Sequence, residues 1–323
     1  MAGNASEIEL TEQDDDVTDA LAEIIEGLER PQKTLSPKFF YDERGSRLFD
    51  RITRLPEYYP TQTELAIMQD NIDDMVRLIG PQASLIEFGS GSSLKTRLLI
   101  EHARELAVYV PVDISRDHLL ASAQQLAADF PALEILPVAA DFTQPFELPD
   151  PRVPPLRNIV YFPGSTIGNF PPEDALSLLE VMHTEAGENG ALLIGVDLQK
   201  DRAVLERAYN DAGGVTAEFN LNLLRRLNRE FGANFDREQF EHVAFYNEAL
   251  GCIEMHLRSL RDQAVSIAGT RFRFRRGETI HTESSHKYTL AGFRDMAAAG
   301  GFEVDTVWMD ERGYFSLQYC LAR

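Results

Sequence analysis

Disulfide bonding, polyanion binding and membrane crossing are the things this chain is poorly supplied for. Its 323 residues hold only two cysteines, Cys252 and Cys320. That is too few for a disulfide framework, so a packed core must carry the fold, and a reducing, cytoplasmic location is expected. Positive charge is also short: 31 Lys and Arg face 52 Asp and Glu, for a net charge of −21. A phosphate backbone or an anionic bilayer calls for the opposite balance, so neither nucleic acid nor a membrane is an expected partner. No apolar run reaches the roughly 20 residues that a membrane-spanning helix needs. The N-terminus carries Glu7, Glu9, Asp14, Asp15 and Asp16 where a signal or transit peptide would be basic, and residues 1–15 read as mobile. No internal repeat or low-complexity linker divides the chain. What is present is an ordinary globular composition, 44% hydrophobic and 26% charged, at a length that can bury a sizeable core.

One stretch organises the rest: Ser84-Leu-Ile-Glu-Phe-Gly-Ser-Gly-Ser-Ser-Leu-Lys-Thr-Arg97. Leu85, Ile86 and Phe88 read as a buried strand, Gly89-Ser-Gly91 as a tight turn, and Thr96 onward as a helix. Strand, glycine turn and helix make the phosphate- or nucleoside-binding corner of a doubly wound α/β fold. Glycine suits that corner because no Cβ holds a ligand away from the backbone. A dinucleotide loop has a third glycine where this chain has Leu94, so no pyrophosphate cradle is spelled out. Glu87 stands beside the turn instead. A carboxylate there favours a nucleoside carrying positive charge, such as the sulfonium of S-adenosylmethionine (SAM). Taken alone, the loop fits a plain turn equally well.

The remaining pattern extends that corner into a sheet. Residues 17–28 have helical periodicity, and Thr61-Gln-Thr-Glu64 reads as a capping box opening a helix to about residue 78. A strand over 108–112 ends in Asp113, 22 residues after Gly91, where an acid can accept both ribose hydroxyls. Ser115 reads as the cap of a helix reaching residue 130. A strand over 135–139 leads to Asp141 and Phe142, placed to meet an adenine's edge and face. A strand over 159–162 runs into Gly164-Ser-Thr-Ile-Gly-Asn169, Pro171 opens another helix, and a strand over 191–196 ends in Asp197. Alternating strands and helices imply a parallel sheet whose ligands bind beyond the strands' carboxyl ends. Glu87, Gly89, Asp113, Asp141 and Gly164 all fall there.

After residue 200 the pattern changes to two helices, broken at Gly213-Gly214, and then to strands over 242–288. Arg271-Phe-Arg-Phe-Arg275 alternates with period two, and on so acidic a protein its arginines read as a solvated strand face. A helix over 290–299 and a hairpin over 302–309 and 315–321 follow, which is how doubly wound SAM-dependent methyltransferases complete their sheet. The expected organisation is a core of residues 62–199 and 289–323 with a second lobe of residues 1–61 and 200–288.

At Phe40-Tyr-Asp-Glu-Arg-Gly-Ser-Arg-Leu-Phe-Asp50 and Leu55-Pro-Glu-Tyr-Tyr-Pro-Thr-Gln-Thr-Glu64 the sequence resembles the histidine-specific N-α-methyltransferases of ergothioneine biosynthesis. The resemblance continues through Glu87-Phe-Gly-Ser-Gly91, Gly164-Ser-Thr-Ile-Gly-Asn169, Ala208-Tyr-Asn-Asp-Ala212, Val215-Thr-Ala-Glu-Phe-Asn220, Ile253-Glu-Met255 and Thr282-Glu-Ser-Ser285, and covers about residues 30–323. It implies a Rossmann-like, SAM-dependent methyltransferase core with an inserted α+β substrate-binding lobe. The implied reaction is three successive methyl transfers from SAM to the α-amine of L-histidine, giving hercynine. By the same resemblance Asn169 and Tyr209 would hold the substrate carboxylate, and Gly164 and Tyr41 would lie near the amine. Tyr58, Glu283 and Ser285 would grip the imidazole, with Met255 beside it. Gly89, Lys95, Asp113, Asp141 and Phe142 would surround SAM. Tyr41 and Asn169 are the candidates for a direct part in catalysis, and a monomer is expected.

These residues make chemical sense on their own terms. A sulfonium methyl is already activated, so the protein has mainly to align and desolvate a neutral amine, and no nucleophile pair or metal is required. His281 and His286 near Cys252 have the wrong number and spacing for zinc, so no metal is expected. Glu283 and Ser285 stand two apart on a strand and face one way, which also fits a plain exposed strand face. Tyr41, Tyr58 and Tyr209 taken singly fit a core, Tyr59 reads as structural, and Asn169 fits a helix cap before Pro171. Three other functions stay open on the residues alone. They are N-methylation of another aromatic amine, such as a tryptophan-derived one, nicotinamide-dependent oxidoreduction, and non-catalytic SAM binding.

Overall fold

Four almost continuously apolar runs form the centre of the fold. The computed structural model describes residues 10–12, 17–91, 94–144 and 146–323, so the acidic residues before 10 and at 14–16, and Ser92-Ser93 of the glycine loop, lie outside the described residues. Ala83–Phe88 pairs in parallel with Val108–Asp113 on one side and Arg157–Phe162 on the other, and Arg157–Phe162 pairs with Ala191–Asp197. Strands covered on both faces need side chains that tolerate burial at every position, which explains the missing polar alternation. The chain closes with Phe302–Met309 and Phe315–Ala322, the latter lying antiparallel against Ala191–Asp197. The strand expected over 135–139 is instead two pieces, Glu134–Ile135 and Val138–Ala139, both beside Val108–Asp113. Pro137 lies between them and has no N–H for a ladder. Thr11–Glu12, expected to be mobile, runs parallel to Val138–Ala139 at the sheet edge.

Alternation sorts the two faces. Ile86, Phe88, Val110 and Val160 pack under helices Pro172–Ala186 and Leu290–Ala299. Leu85, Tyr109, Ile159 and Tyr161 pack under Tyr59–Ile79, Leu94–His102 and Arg116–Asp129. Helices on both faces of a mainly parallel sheet make this a doubly wound α/β fold. A separate hydrophobic core joins Ile24 and Leu28, Phe39 and Phe40, and the buried faces of helices Arg202–Tyr209 and Val215–Glu230. Its sheet has the order Lys33–Thr34, Thr279–His286, Cys252–Ser259, Phe240–Asn247. Phe272 and Phe274 point into this core while Arg271 and Arg273 are exposed, as their alternation requires.

Two expected caps take other roles. Helix Tyr59–Ile79 begins two residues before Thr61, with Pro60 in its first turn, where a missing N–H costs nothing. Glu64 therefore sits inside the helix and does not reach back to a cap. Its carboxylate is fully buried, accepts the Gly164 N–H at 3.0 Å and pairs with Lys95 at 2.6 Å. Ser115 occupies its N-cap position without a side-chain bond; its own N–H donates to Asp113 at 2.8 Å.

The Glu64 bond fixes the turn after Arg157–Phe162, and Gly195 leaves it room. A Cβ at Gly195 would lie 2.4 Å from Glu64 Oε1 and 3.1 Å from the Gly164 nitrogen. Gly195→Ala is expected to push the carboxylate off Gly164 and cost about 1–3 kcal/mol. Urea unfolding reads this as a lower midpoint, and an unchanged midpoint would show that Glu64 has space to yield.

Candidate active site

A cavity of about 740 Å³ opens beyond the carboxyl ends of the parallel strands. Both hydrophobic units contribute to its walls, because strand-end turns of the large sheet face residues from the smaller one. On the first side lie Gly89, Asp113, Asp141 and Phe142, each among the residues lining the cavity. Gly89 has φ of 72°, a conformation that suits glycine, and this lets its N–H bond Val112 at 2.8 Å as the chain turns. Burial raises the Asp113 carboxyl above the usual range, opposed by the Ser115 N–H. Asp141 accepts from both the N–H and the hydroxyl of Thr143, and Phe142 packs edgewise on Phe162 and tilted on Phe88.

Gly164 and Asn169, from the turn after Arg157–Phe162, belong on this same side, and Tyr41, Tyr58, Tyr209, Glu283 and Ser285 come from the smaller unit, all on the lining. Tyr41 ends the short helical turn Pro37–Phe40 and contacts Phe49 and Phe219 edge-on. Tyr58 contacts Tyr209 in the same way, with ring centres 6.1 Å apart. Burial first, and then the charge of Glu283, push the Tyr41 hydroxyl well above its ordinary pKa. A phenol held in its protonated form donates and accepts hydrogen bonds but is not itself a base. Asn169 ends the turn Thr166–Asn169; the cap position of the next helix belongs to Pro171, so Asn169 is not spent on capping.

Hydrogen bonding divides these groups in two. Tyr209 donates to Ser285 at 2.8 Å. The Tyr41 and Tyr58 hydroxyls, the Asn169 amide and the Glu283 carboxylate have no hydrogen-bond partner among the described residues. Glu283 is the extreme case, being 7% exposed. Burial pushes its pKa up to about 7, with Lys287 as the opposing influence. A nearly buried carboxylate without a partner is costly, and it points to a ligand that supplies one.

Three expected residues are absent from the lining. Glu87 shares the face of its strand with Leu85, under the helices. It is 2% exposed and accepts from Thr96 and Tyr109, so it braces the loop from beneath and offers no charge to a bound sulfonium. Lys95 is turned to Glu64, behind the Gly164 turn. Met255 is buried in the smaller core, where it pairs across the sheet with Glu283.

Other groups at the cavity had gone unread. Lys287 and Asp197 line it, paired at 2.9 Å and each about 1% exposed at the side chain. Asp197 also binds Lys200 and accepts from the Tyr59 hydroxyl at 2.7 Å. Burial raises the Asp197 carboxyl, but the two ammonium groups and Tyr59 outweigh it and hold the pKa below the usual range. Glu283-x-Ser285-x-Lys287 continues one alternation, the signal that could have revealed the lysine. Away from the cavity, one ligand atom from each of Glu254, His256 and His281 lies within 4.8 Å of the others. These groups already pair, His256 with Glu254 at 2.8 Å and His281 with Ser284 at 3.0 Å.

Residues 20–322 match the family model described as histidine-specific methyltransferase, SAM-dependent. The chain belongs to that family. Within this SAM-dependent histidine-specific methyltransferase family it is 39% identical over 297 residues to the histidine N-alpha-methyltransferase of Mycolicibacterium smegmatis, spanning 90% of this chain and 91% of that one. It is 39% identical over 301 residues to the protein of the same name from Mycobacterium tuberculosis, spanning 91% and 92% of the two chains. A more distant relative is the L-tryptophan methyltransferase trpM of Psilocybe serbica, 28% identical over 93% of this chain and 91% of that one. The chain is thus a SAM-dependent methyltransferase with SAM as its methyl donor.

The raised Glu283 pKa has a consequence for stability. The folded, ligand-free methyltransferase takes up this proton near pH 7, against about 4.5 for an unperturbed glutamate. The folded state binds more protons in that window, so stability falls as pH rises through it. Glu283→Gln is therefore expected to stabilise the ligand-free protein at pH 8 by about 1–3 kcal/mol, and by less at pH 5.5. Denaturant titrations at both values check it; equal midpoints at pH 8 would contradict a strained carboxylate.

Proposed function

We propose that this methyltransferase carries the α-amine of L-histidine through three successive methylations to hercynine, the reaction of ergothioneine biosynthesis. The observation that carries this reading is the unpartnered Glu283 carboxylate beside Ser285 in the cavity wall. An imidazole offers an N–H to the carboxylate and a nitrogen lone pair to the hydroxyl. Tyr58 closes on the same ring. Asn169 and Tyr209 hold the substrate carboxylate, and Tyr41 with the Gly164 carbonyl orients the amine. Met255 supports Glu283 from the neighbouring strand, and Lys95 supports the Gly164 turn through Glu64. Gly89, Asp113, Asp141 and Phe142 receive the nucleoside of SAM. In this reading residues 62–199 and 289–323 bind the donor, and residues 200–288 with the segment up to residue 61 bind the amino acid.

The chemistry is an in-line displacement in which the amine lone pair attacks the methyl carbon and the C–S electrons leave with the thioether. Alignment of this kind is worth up to about 7–11 kcal/mol. Each of the first two transfers gives an ammonium that must release a proton to water before its lone pair can attack again; the third uses the last lone pair of an amine that has no N–H left, so the sequence stops by itself. A monomeric enzyme is part of this reading. Two buried free thiols are in keeping with a cytoplasmic setting. A second reading, methylation of an indole substrate, has the Psilocybe relative in its favour. Indole has one N–H and no acceptor nitrogen, so it would leave the Ser285 hydroxyl unmatched.

Incubating the protein with SAM and each free amino acid, followed by mass spectrometry, is expected to add three methyl groups to histidine alone. Glu283→Ala is expected to lower kcat/KM for histidine about 10- to 100-fold, the worth of one charge-assisted hydrogen bond. An unchanged kcat/KM would remove the imidazole from this wall.

A further inference from the structure

Glu283 reaches the cavity because its strand carries one residue more than the strand beside it. Between Thr279–His286 and Cys252–Ser259 the pairing runs Ile280 with Leu257 and His281 with His256, then shifts, and resumes with Glu283 opposite Met255 and Ser285 opposite Ile253. Thr282 lies opposite no residue, so it is the inserted residue of a β-bulge. Ile280, Leu257, Met255 and Ile253 all face the smaller core. Ile280 and Glu283 therefore share a face although they stand three apart in sequence. Unbroken alternation from Ile280 would give that face to Thr282 and Ser284, and would turn Glu283 and Ser285 away beside His281. The bulge is what aims the pair at the cavity.

The groups that hold the bulge have fixed roles. Asn220 of helix Val215–Glu230 and Thr282 are both 0% exposed. Asn220 Nδ2 lies 3.1 Å from the His256 carbonyl oxygen, which can only accept, so the amide nitrogen faces that way and its oxygen faces Thr282. The Thr282 hydroxyl has Asn220 Oδ1 at 2.9 Å and the Met255 carbonyl at 3.0 Å, two acceptors, so it donates. The second Asn220 N–H meets His242 Nδ1 at 2.9 Å, and His242 Nε2 meets the Tyr209 carbonyl at 2.9 Å. That carbonyl also only accepts, so Nε2 carries the ring's proton and Nδ1 accepts from Asn220. A chain of bonds that ends on main-chain carbonyls at both sides leaves one arrangement of its protons.

We infer that Thr282, anchored by Asn220, is a positioning residue for substrate recognition: it holds the bulge in place and so fixes where the Glu283 carboxylate and the Ser285 hydroxyl stand. The inference rests on the reading that these two groups bind an imidazole. Neither Thr282 nor Asn220 is among the residues lining the cavity, so the effect reaches the ligand through Glu283 and Ser285. The same amide steadies Tyr209 through His242, so one buried group serves both ends of the amino acid in that reading. Thr282→Val keeps the shape of the side chain and takes the proton from both acceptors. Buried acceptors left without a donor are costly, and the strand escapes that cost by shifting at the bulge, which moves Glu283.

The test is a double-mutant cycle on histidine methylation, with calorimetric binding of S-adenosylhomocysteine as the control. Thr282→Val is expected to lower kcat/KM for histidine about tenfold or more while changing S-adenosylhomocysteine affinity less than about twofold, and Thr282→Ser, which restores the proton, to stay within about threefold of the unaltered protein. Added to Glu283→Ala, Thr282→Val is expected to cost no more than about threefold, because only Ser285 is left to position. A further loss as large as in the unaltered background overturns the inference, and so does an unchanged kcat/KM in Thr282→Val. If Thr282→Val does not fold, a crystal structure of the unaltered protein with histidine and S-adenosylhomocysteine decides. It is expected to show Thr282 unpaired, its hydroxyl on Asn220 and Glu283 on the imidazole; Glu283 on the imidazole with regular pairing through residue 282 overturns the inference. Unchanged kcat/KM in Glu283→Ala alone would instead remove the proposed imidazole contact, and this inference with it.

Discussion

The ion pair between Asp197 and Lys287 joins the two halves of this molecule. The aspartate ends a central strand of the large sheet, and the lysine follows the strand that carries Glu283 and Ser285. Both side chains are about 1% exposed, so each depends on the other for solvation it has lost. A buried pair adds little net stability against an apolar alternative, but losing one member commonly costs about 3–5 kcal/mol. Its value here is geometric. It sets where one hydrophobic unit meets the other, and the cavity is the space left between them. Lys200 and Tyr59 hold Asp197 from the remaining directions, so the joint does not turn.

Around that joint the polar groups divide into bound and open sets. Tyr209, Ser285, Lys287 and Asp197 satisfy one another, whereas Glu283, Tyr41, Tyr58 and Asn169 are left facing the cavity. The first set is rigid before any ligand arrives, so little ordering is left for the binding step. The second set carries the cost of waiting, most plainly the carboxyl raised to about pH 7. In the proposed binding mode, relief of that cost would be a source of selectivity, because a ring without nitrogen would leave it unrelieved.

The large sheet was readable because buried parallel strands are apolar runs of fixed length, and each strand end brought a recognisable turn. Apart from Thr11–Glu12 and the broken stretch at 135–139, its strands and the last helix stand within a residue or two of where periodicity puts them. Where reading failed, a long-range partner had displaced a local one. Thr61 to Glu64 has the pattern of a cap, but Pro60 can open the helix earlier and Gly164, a hundred residues on, claims the carboxylate. Glu87 sits next to the glycines in sequence, but strand alternation turns it to Tyr109 and Thr96. Of the site, the residues with a recognised motif all appear in the sequence resemblance, and most line the cavity. Lys287 and Asp197 belong to no such motif, and their pairing spans ninety residues, which periodicity does not register.

Gly168 has a further consequence. A Cβ there would lie 2.7 Å from the His286 carbonyl oxygen, so the turn ending in Asn169 and the strand bearing Glu283 and Ser285 touch main chain to main chain. No flexible side chain separates the groups proposed for the amino acid's head from those proposed for its ring. The two sets therefore work as the jaws of a gauge with a fixed opening. In the proposed binding mode a ligand one methylene longer or shorter than histidine would reach one jaw and miss the other, so the cleft would measure length as well as chemistry.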